Sequence, residues 1–224
     1  MSLKPSKGNM YSFITHQWNP VKGLCSNNCV YCYVKRFPVK ELRLDEKELK
    51  TFHGTGNFIF VCSGTDLFND DVPREWIMKV LEQCKKYNEN KYLFQSKNPK
   101  RFFEFTAYFP ENTILGTTIE TNRNYPNISK APTPVERALA MINITLPKMV
   151  TIEPICDFDI DELSQWIINI KPEWVNIGAD SNYKKTLPEP EPEKIIELAK
   201  IIKRAGIKVK IKDNLKRLID TRDD

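Results

Sequence analysis

The sequence predicts an α/β fold with parallel strands, in the form of a partial or nearly complete (βα) barrel. Short apolar runs alternate with amphipathic stretches from residue 57 onward, and this alternation is typical of parallel sheets with helical crossovers. The apolar runs are continuous, as expected for strands buried on both faces. No linker interrupts the pattern, so we expect one domain over residues 1–224. A doubly wound open sheet is the second candidate.

Each predicted strand after residue 57 is followed by a predicted helix. The strands are predicted at 57–63, 91–96, 112–120, 148–155, 173–179 and 207–212, with an earlier one within 11–20. The helices are predicted at 71–87, 99–109, 133–144, 159–170, 191–206 and 214–219. Pro73 suits a first helical turn, Thr133 and Asp159 suit N-caps, and Gly206 suits a helix end.

Composition excludes several classes of protein. Of the 224 residues, 41% are hydrophobic, which allows a sizeable core and excludes a disordered chain or a disulfide scaffold. The net charge of +5 permits a nucleic-acid or phosphate-bearing partner without requiring one. We find no apolar run of signal-peptide length and none near the roughly 20 residues of a membrane span, so we expect a cytoplasmic protein without a membrane partner.

Three of the six cysteines lie in the segment GLCSNNCVYCYVKRF at residues 23–37. Cys25, Cys29 and Cys32 have the spacing C-x3-C-x2-C, and in a reducing compartment such clustering indicates metal binding or catalysis. A 4Fe–4S cube normally takes four cysteines, so three leave one iron open for a chelating amine and carboxylate.

Two further interpretations of the three cysteines remain open. A fourth ligand from His16, His53 or Cys62 would make a closed zinc site in a non-enzymatic zinc-binding module. The spacing is fortuitous if the chain is a βα enzyme of another kind.

The cysteine segment resembles the signature of radical SAM enzymes, because Cys25, Cys29, Tyr31 and Cys32 match it position for position. The resemblance implies a 4Fe–4S cluster on the three cysteines and S-adenosyl-L-methionine (SAM) on the open iron. It further implies reductive cleavage of SAM to a 5′-deoxyadenosyl radical that abstracts hydrogen from a substrate. A flavodoxin-like or ferredoxin-like electron donor is implied as the partner.

A narrower resemblance links the chain to an uncharacterised single-domain radical SAM branch of phages and microbes. WNPVKGLCSNNCVYCY, SGTDLFNDDVP, LFQSKNPKRF, ILGTTIE, TIEPI and VNIGADS occur in the order found in that branch. Leu24, residues 95–99 and residues 178–181 depart from the branch pattern. Together with the positive charge, this resemblance slightly favours a nucleic-acid or nucleotide substrate.

Candidate SAM-binding residues follow the predicted strands, where parallel α/β proteins collect their functional groups. By the resemblance, residues 63–66 hold the methionyl amine: Gly64 allows close approach, and Ser63, Thr65 and Asp66 supply acceptors. An ordinary strand-to-helix turn is the alternative for this segment.

Two further residues are candidates for the nucleoside part of SAM. Glu120 is the candidate for the ribose hydroxyls, or else forms a salt bridge with Arg123 or another cation. Gly178 is the candidate for the adenine edge.

Three more strand-end residues are candidates for substrate binding or catalysis. Lys97 and Glu153 are candidates for holding substrate, with a structural Glu–Lys pair as the alternative. Cys156 is a candidate hydrogen donor, because a thiol hydrogen is weakly bound, and its alternative role is that of a small buried hydrophobe.

Overall fold

The computed structural model describes residues 2–38, 41–181 and 187–220. Contacts divide the chain into two compact units. The first unit comprises Met1–Asn28 and Cys32–Gly116, and the second comprises Cys29–Tyr31 and Thr117–Asp224. Within the described ranges, no helix has the length and apolar character needed to cross a membrane. The prediction of a single domain stays a prediction.

The strands of the first unit are mainly parallel. Their bounds are β1 Lys4–Pro5, β2 His16–Trp18, β3 Val21–Lys22, β4 Arg43–Leu44, β5 Phe58–Val61, β6 Lys91–Gln95 and β7 Thr113–Thr118, whose last two residues belong to the second unit. Strands β2, β5, β6 and β7 pair in chain order and in parallel. Strand β1 adds to β2 in antiparallel fashion, and β3 and β4 form a separate antiparallel pair.

The helices of the first unit follow their parallel strands as predicted. Helix α1 spans Arg74–Lys85 and buries Ile77, Val80, Leu81 and Cys84 along one stripe. Pro73 directly precedes it, at the cap position. The predicted helix at 99–109 is a 3-10 helix at Pro99–Tyr108. Shorter 3-10 turns lie at Tyr33–Arg36 and Glu48–Lys50.

The second unit continues the strand–helix alternation. Its elements are α2 Pro134–Ile142, β8 Lys148–Ile152, α3 Ile160–Ile170, β9 Trp174–Ile177, α4 Pro192–Arg204, β10 Lys208–Ile211 and α5 Lys216–Ile219. Strands β8, β9 and β10 pair in parallel and in chain order. A doubly wound sheet requires a reversal of strand order, and neither unit has one among its paired strands.

The predicted helix ends at Thr133 and Gly206 are confirmed, and the predicted cap at Asp159 is corrected. Thr133 and Glu136 form a reciprocal capping box at the start of α2. Gly206 follows α4 with a φ of 81°. Asp159 occupies the N-cap position of α3, but its side chain makes no capping hydrogen bond. Its carboxylate instead accepts hydrogen bonds from the Arg123 guanidinium.

Candidate functional site

The cysteine segment turns sharply at two points that the chain fixes sterically. Gly23 has a φ of 110°, and a Cβ there would lie 2.5 Å from the carbonyl oxygen of Glu41, so only glycine fits. Asn28 has a φ of 44°, a left-handed conformation that asparagine tolerates well. Cys25 and Cys32 are partly exposed and Cys29 is buried, and all three are free thiols. Gly23 lies two residues before Cys25, and Asn28 lies between Cys25 and Cys29, so both turns shape the cysteine segment.

In the first unit, four side chains form what we call the amide cluster: Ser26, Asn27, Asp66 and Asn69. The Asn27 amide donates to Asp66 Oδ2 at 2.9 Å, and the Asn69 amide donates to Asn27 Oδ1 at 2.9 Å. The Ser26 hydroxyl donates to Asn69 Oδ1 at 2.9 Å. These bonds tie the residues after Cys25 to the turn after β5. Sequence reasoning missed Asn69, whose only signal is its position three residues after Asp66.

Both carboxylate oxygens of Asp66 accept hydrogen bonds within the first unit. Besides Asn27, it accepts the backbone N–H of Lys97 at 2.9 Å and that of Phe68 at 3.1 Å. A carboxylate offers about four lone-pair positions, and three hydrogen bonds are made here. Asp66 therefore holds the end of β6 and the cysteine segment together.

The hydroxyl groups of the 63–66 segment donate to neighbouring acceptors in the same unit. The Ser63 hydroxyl donates to Gln17 Oε1 at 2.7 Å, and the Thr65 hydroxyl donates to the Gly23 carbonyl at 2.7 Å. Both residues therefore fix the backbone of this segment, and each retains its hydroxyl oxygen as an acceptor.

Gly64 lies at a position where a small side chain would fit. Its backbone N–H donates to Asn19 Oδ1 at 3.0 Å. A Cβ there would lie 3.7 Å from that oxygen and 3.8 Å from the Tyr33 hydroxyl, which are ordinary contacts. The first unit itself therefore does not require glycine at this position.

In the second unit, Tyr31 is tied to a buried ion pair. Its hydroxyl donates to Glu120 Oε1, and Arg137 Nη1 donates to Glu120 Oε2 at 2.8 Å and to the Thr118 carbonyl. Glu120 and Arg137 are 4% and 3% exposed. Burial, then the charge of Glu120, raises the pKa of Tyr31 well above its usual range, so its hydroxyl stays a neutral donor.

The cation paired with Glu120 is Arg137 on α2, and Arg123 pairs elsewhere. Arg123 binds Asp157 and Asp159. The salt bridge given as the alternative role of Glu120, with Arg123 or another cation, is present, and its cation is Arg137.

The segment that precedes α2 contacts the middle of the cysteine motif. The Ser129 hydroxyl lies 3.2 Å from Cys29 Sγ, and the backbone N–H of Val30 donates to the Ile128 carbonyl at 2.9 Å. The hydroxyl oxygen of Ser129 also accepts the backbone N–H of Ala131 at 3.1 Å. Sequence reasoning missed this segment.

Glu153 and Gly178 share a compact polar cluster at the ends of β8 to β10. Glu153 Oε2 lies 3.0 Å from Lys212 Nζ, and the Asn214 amide donates to Glu153 Oε1 at 3.1 Å. A Cβ at Gly178 would lie 2.8 Å from Glu153 Cδ. Glu153 thus pairs with Lys212, whereas the sequence-based alternative named Lys97. Gly178 leaves room for the Glu153 carboxylate.

Cys156 is fully buried in the second unit. Its backbone N–H donates to the Glu120 carbonyl at 2.9 Å, and its thiol points toward the Pro154 carbonyl at 3.9 Å. Its role as a hydrogen donor stays a prediction.

A family model described as "Protein of unknown function (DUF5131)" matches residues 9–194. The chain belongs to this family. No curated protein matches the sequence.

Solved structures resemble this DUF5131 protein in fold. Spore photoproduct lyase complexed with dinucleoside spore photoproduct is 12% identical with a TM-score of 0.64, over 91% of this chain and 78% of that one. A radical SAM methyltransferase from Sphaerobacter thermophilus is 11% identical with a TM-score of 0.59, over 91% and 67%. Streptococcus suis SuiB bound to precursor peptide SuiA is 11% identical with a TM-score of 0.61, over 88% and 48%. The predicted radical SAM-type α/β fold is confirmed.

The donor set of the DUF5131 chain fits a 4Fe–4S cluster with an open iron. It supplies three free thiols within eight residues, and the Ser129 hydroxyl adjoins one of them. Thiolates are the ligands that iron–sulfur clusters take. Cys25, Cys29 and Cys32 would hold the cluster.

The candidate fourth ligands of a zinc site make other interactions. His53 is buried, its ring centroid lies 4.4 Å from that of Trp18, and its Nδ1 lies 3.1 Å from the Tyr92 hydroxyl. Burial raises the pKa of the Cys62 thiol to about 12. His16 Nδ1 lies 3.0 Å from Thr15 Oγ1. Over the described ranges, no three Asp, Glu, His or Cys side chains form a site for one metal ion.

Proposed function

We propose that this DUF5131 protein is a radical SAM enzyme, in which Cys25, Cys29 and Cys32 hold a 4Fe–4S cluster and the fourth iron is left for SAM. The observation that carries the proposal is the C-x3-C-x2-C motif in a chain with the fold of radical SAM enzymes. When bound, the cluster supplies the electron that cleaves SAM to a 5′-deoxyadenosyl radical, which abstracts hydrogen from the substrate.

Residues 63–66 bind the methionyl part of SAM. A Cβ at Gly64 would make only ordinary contacts, so the backbone there is not crowded, which supports this assignment. The fourth lone-pair position of Asp66 and the hydroxyl oxygens of Ser63 and Thr65 accept from the methionyl ammonium.

Glu120 and Gly178 bind the nucleoside part. The Glu120 carboxylate accepts from the ribose hydroxyls. The backbone at Gly178 contacts the adenine edge.

Substrate is held by Lys97 and Glu153. The Cys156 thiol donates its hydrogen atom to the product radical, and the thiyl radical left on Cys156 is reduced back to the thiol by one electron from the electron donor together with one proton. The electron comes from a flavodoxin-like or ferredoxin-like protein, and the reaction takes place in the cytoplasm.

The proposed substrate is a nucleic acid or a nucleotide. The net charge of +5 favours an anionic partner. A solved spore photoproduct lyase structure holds AdoMet and a dinucleoside spore photoproduct, which supports the same ligand classes here. The SuiB structure holds a peptide, so the substrate experiment must also be able to detect a peptide substrate.

The cofactor assignment is tested by anaerobic reconstitution with iron and sulfide. We expect about four irons per chain, visible iron–sulfur absorption and release of 5′-deoxyadenosine from SAM after dithionite reduction. Cys29→Ala should abolish 5′-deoxyadenosine formation. Cys84→Ala is the matched control, because Cys84 is a buried packing residue on α1, and this variant should retain the activity.

Two results would refute the assignment. A colourless protein with one zinc per chain would favour the zinc-binding module. Equal 5′-deoxyadenosine formation by Cys29→Ala and the parent protein would show that the cysteine motif is not needed for SAM cleavage.

The substrate class is tested by adding single-stranded and duplex DNA, RNA, mononucleotides or a peptide pool to the reduced protein with SAM. We expect one of the nucleotide-containing samples to accelerate 5′-deoxyadenosine formation, with deuterium transfer from labelled substrate. Stimulation by the peptide pool alone would reject the nucleotide proposal and leave the cofactor assignment standing.

A further inference from the structure

We propose that Ser129 raises the reduction potential of the cluster through a hydrogen bond to the sulfur of Cys29. This inference rests on the proposed function. Its observation is the 3.2 Å separation of Ser129 Oγ from Cys29 Sγ. Ser129 acts through the cysteine and is therefore a positioning residue.

The direction of this hydrogen bond is fixed once Cys29 ligates iron. A ligating cysteine is a thiolate and has no hydrogen to donate. The Ser129 oxygen already accepts the N–H of Ala131 at 3.1 Å, so its lone pair faces that amide and its single O–H can point to the sulfur. Ser129 is thus the donor and Cys29 the acceptor.

The surrounding backbone holds the hydroxyl in place. The Val30 N–H donates to the Ile128 carbonyl at 2.9 Å, and the Ile128 N–H donates to the Tyr125 carbonyl at 3.0 Å. The capping box at Thr133 fixes the chain a few residues later. The hydroxyl therefore needs no rearrangement to reach the sulfur of Cys29, which is only 7% exposed.

The sign of the effect follows from charge. Reduction adds an electron to the cluster and increases the negative charge on its sulfurs. A hydrogen-bond donor stabilises this reduced form more than the oxidised form, and hydrogen bonds to the sulfurs are a recognised determinant of cluster potential. Loss of the donor should therefore make the cluster harder to reduce.

The experiment is a redox titration of the reconstituted cluster followed by electron paramagnetic resonance. Ser129→Thr and Ser129→Val are nearly isosteric and differ in the hydroxyl, so they are the primary pair, with Ser129→Ala as a third variant. At a fixed potential near the midpoint, we expect the reduced-to-oxidised ratio of Ser129→Val and Ser129→Ala to fall about three- to tenfold, or roughly 30 to 59 mV for one electron. Ser129→Thr should match the parent protein.

Ser164→Ala is the matched control. The Ser164 hydroxyl also makes a hydrogen bond within the second unit, to the Asp161 carbonyl at 3.0 Å, and its loss should leave the potential unchanged.

Two other outcomes would reject either the role of the Ser129 hydroxyl or the presence of the cluster. Equal potentials for Ser129→Thr and Ser129→Val, whether shifted or not, would overturn the role of the hydroxyl while leaving the cluster assignment intact. A parent protein that assembles no cluster would overturn the proposed function and this inference together, and it is recognised before any variant is titrated.

Discussion

The amide cluster of the first unit and the strand-end carboxylates of the second unit fix candidate ligand-binding residues by different means. Asp66 is the single charged member of the amide cluster, and its partners are neutral N–H groups. Glu120 and Glu153 are each paired with a cation, Arg137 and Lys212. Hydrogen bonds from uncharged N–H groups to a carboxylate contain no ion pair and are modest in energy, whereas a buried ion pair is costly to break from one side. The two regions should therefore respond differently to mutation.

The largest effect should come from Arg137→Met, which leaves the Glu120 carboxylate buried without its cation. We expect the free energy of unfolding to fall by about 3–5 kcal/mol, measured by urea denaturation at pH 7. In the same variant, Glu120, which accepts the hydrogen bond of the Tyr31 hydroxyl, is no longer held in place. SAM binding should therefore weaken as well.

Two controls test whether the buried charge is the cause. Glu120→Gln combined with Arg137→Met should recover part of the loss, because no unpaired charge remains. Lys79→Met removes a surface pair with Glu46 and should cost about 1 kcal/mol or less. A loss as small as that of Lys79→Met in the Arg137 variant would contradict the contrast between the regions.

In the amide cluster, Asn27→Ala should have a smaller effect. The change removes one donor to Asp66 and one acceptor of Asn69, both within a buried network. We expect a loss of about 1–3 kcal/mol, nearly unchanged between low and high salt. Asn112→Ala, which removes an exposed amide hydrogen bond to the Asn88 carbonyl, should leave the free energy of unfolding nearly unchanged. Strong salt dependence of the Asn27 variant would contradict a network without ion pairs.

A buried histidine of the first unit, His53, should make the protein sensitive to acid. Burial lowers the pKa of His53 from 6.5 to about 4. The unfolded chain therefore takes up the proton first, and stability is lost as the pH falls from about 6.5 toward 4. Between pH 7 and pH 5 we expect His53 to account for a loss of about 2 kcal/mol.

Urea denaturation at several pH values compares the parent protein with His53→Gln. The variant should show a correspondingly flatter dependence between pH 7 and pH 5. Parallel curves for the two proteins would remove His53 as the cause.

The smallest effect on stability is expected for Gly64→Ala, because a Cβ there makes ordinary contacts. We expect the free energy of unfolding to change by less than about 0.5 kcal/mol. SAM affinity of the reconstituted protein, measured by equilibrium dialysis, should fall about tenfold or more if the ligand approaches this backbone.

Gly178→Ala provides the contrast in the second unit. Its Cβ would displace the Glu153 carboxylate, so stability should fall by about 1–3 kcal/mol. Unchanged SAM affinity in Gly64→Ala would remove Gly64 from the proposed binding site.

Local patterns made much of the fold predictable. Strands β5 to β9 contain buried apolar runs, whereas β10 alternates lysine with apolar residues. Thr133 with Glu136 is a capping signature. Strands β1, β3 and β4 have two residues each, too few to show a period. They depend on tertiary pairing and could not be predicted.

The partners within the candidate site were less predictable than its location. Arg137 is a charged residue on the buried face of α2, beside Ala138 and Met141, and only the three-dimensional packing reveals that it neutralises Glu120. Ser129 and Asn69 are polar residues in loops, where sequence gives no reason to single out one from its neighbours. Long-range hydrogen bonds thus account for most of what the sequence did not reveal.

The backbone at Gly23 and Asn28 has a practical consequence for directed evolution of the cysteine segment. In a combinatorial library over residues 23–33 that randomises Gly23, most variants would place a Cβ too close to the Glu41 carbonyl oxygen. Holding Gly23 constant and restricting position 28 to asparagine, aspartate or glycine keeps the turn accessible. Diversity is then best placed at Leu24, Val30 and Tyr33, where substitutions change the cysteine segment without altering these two turns.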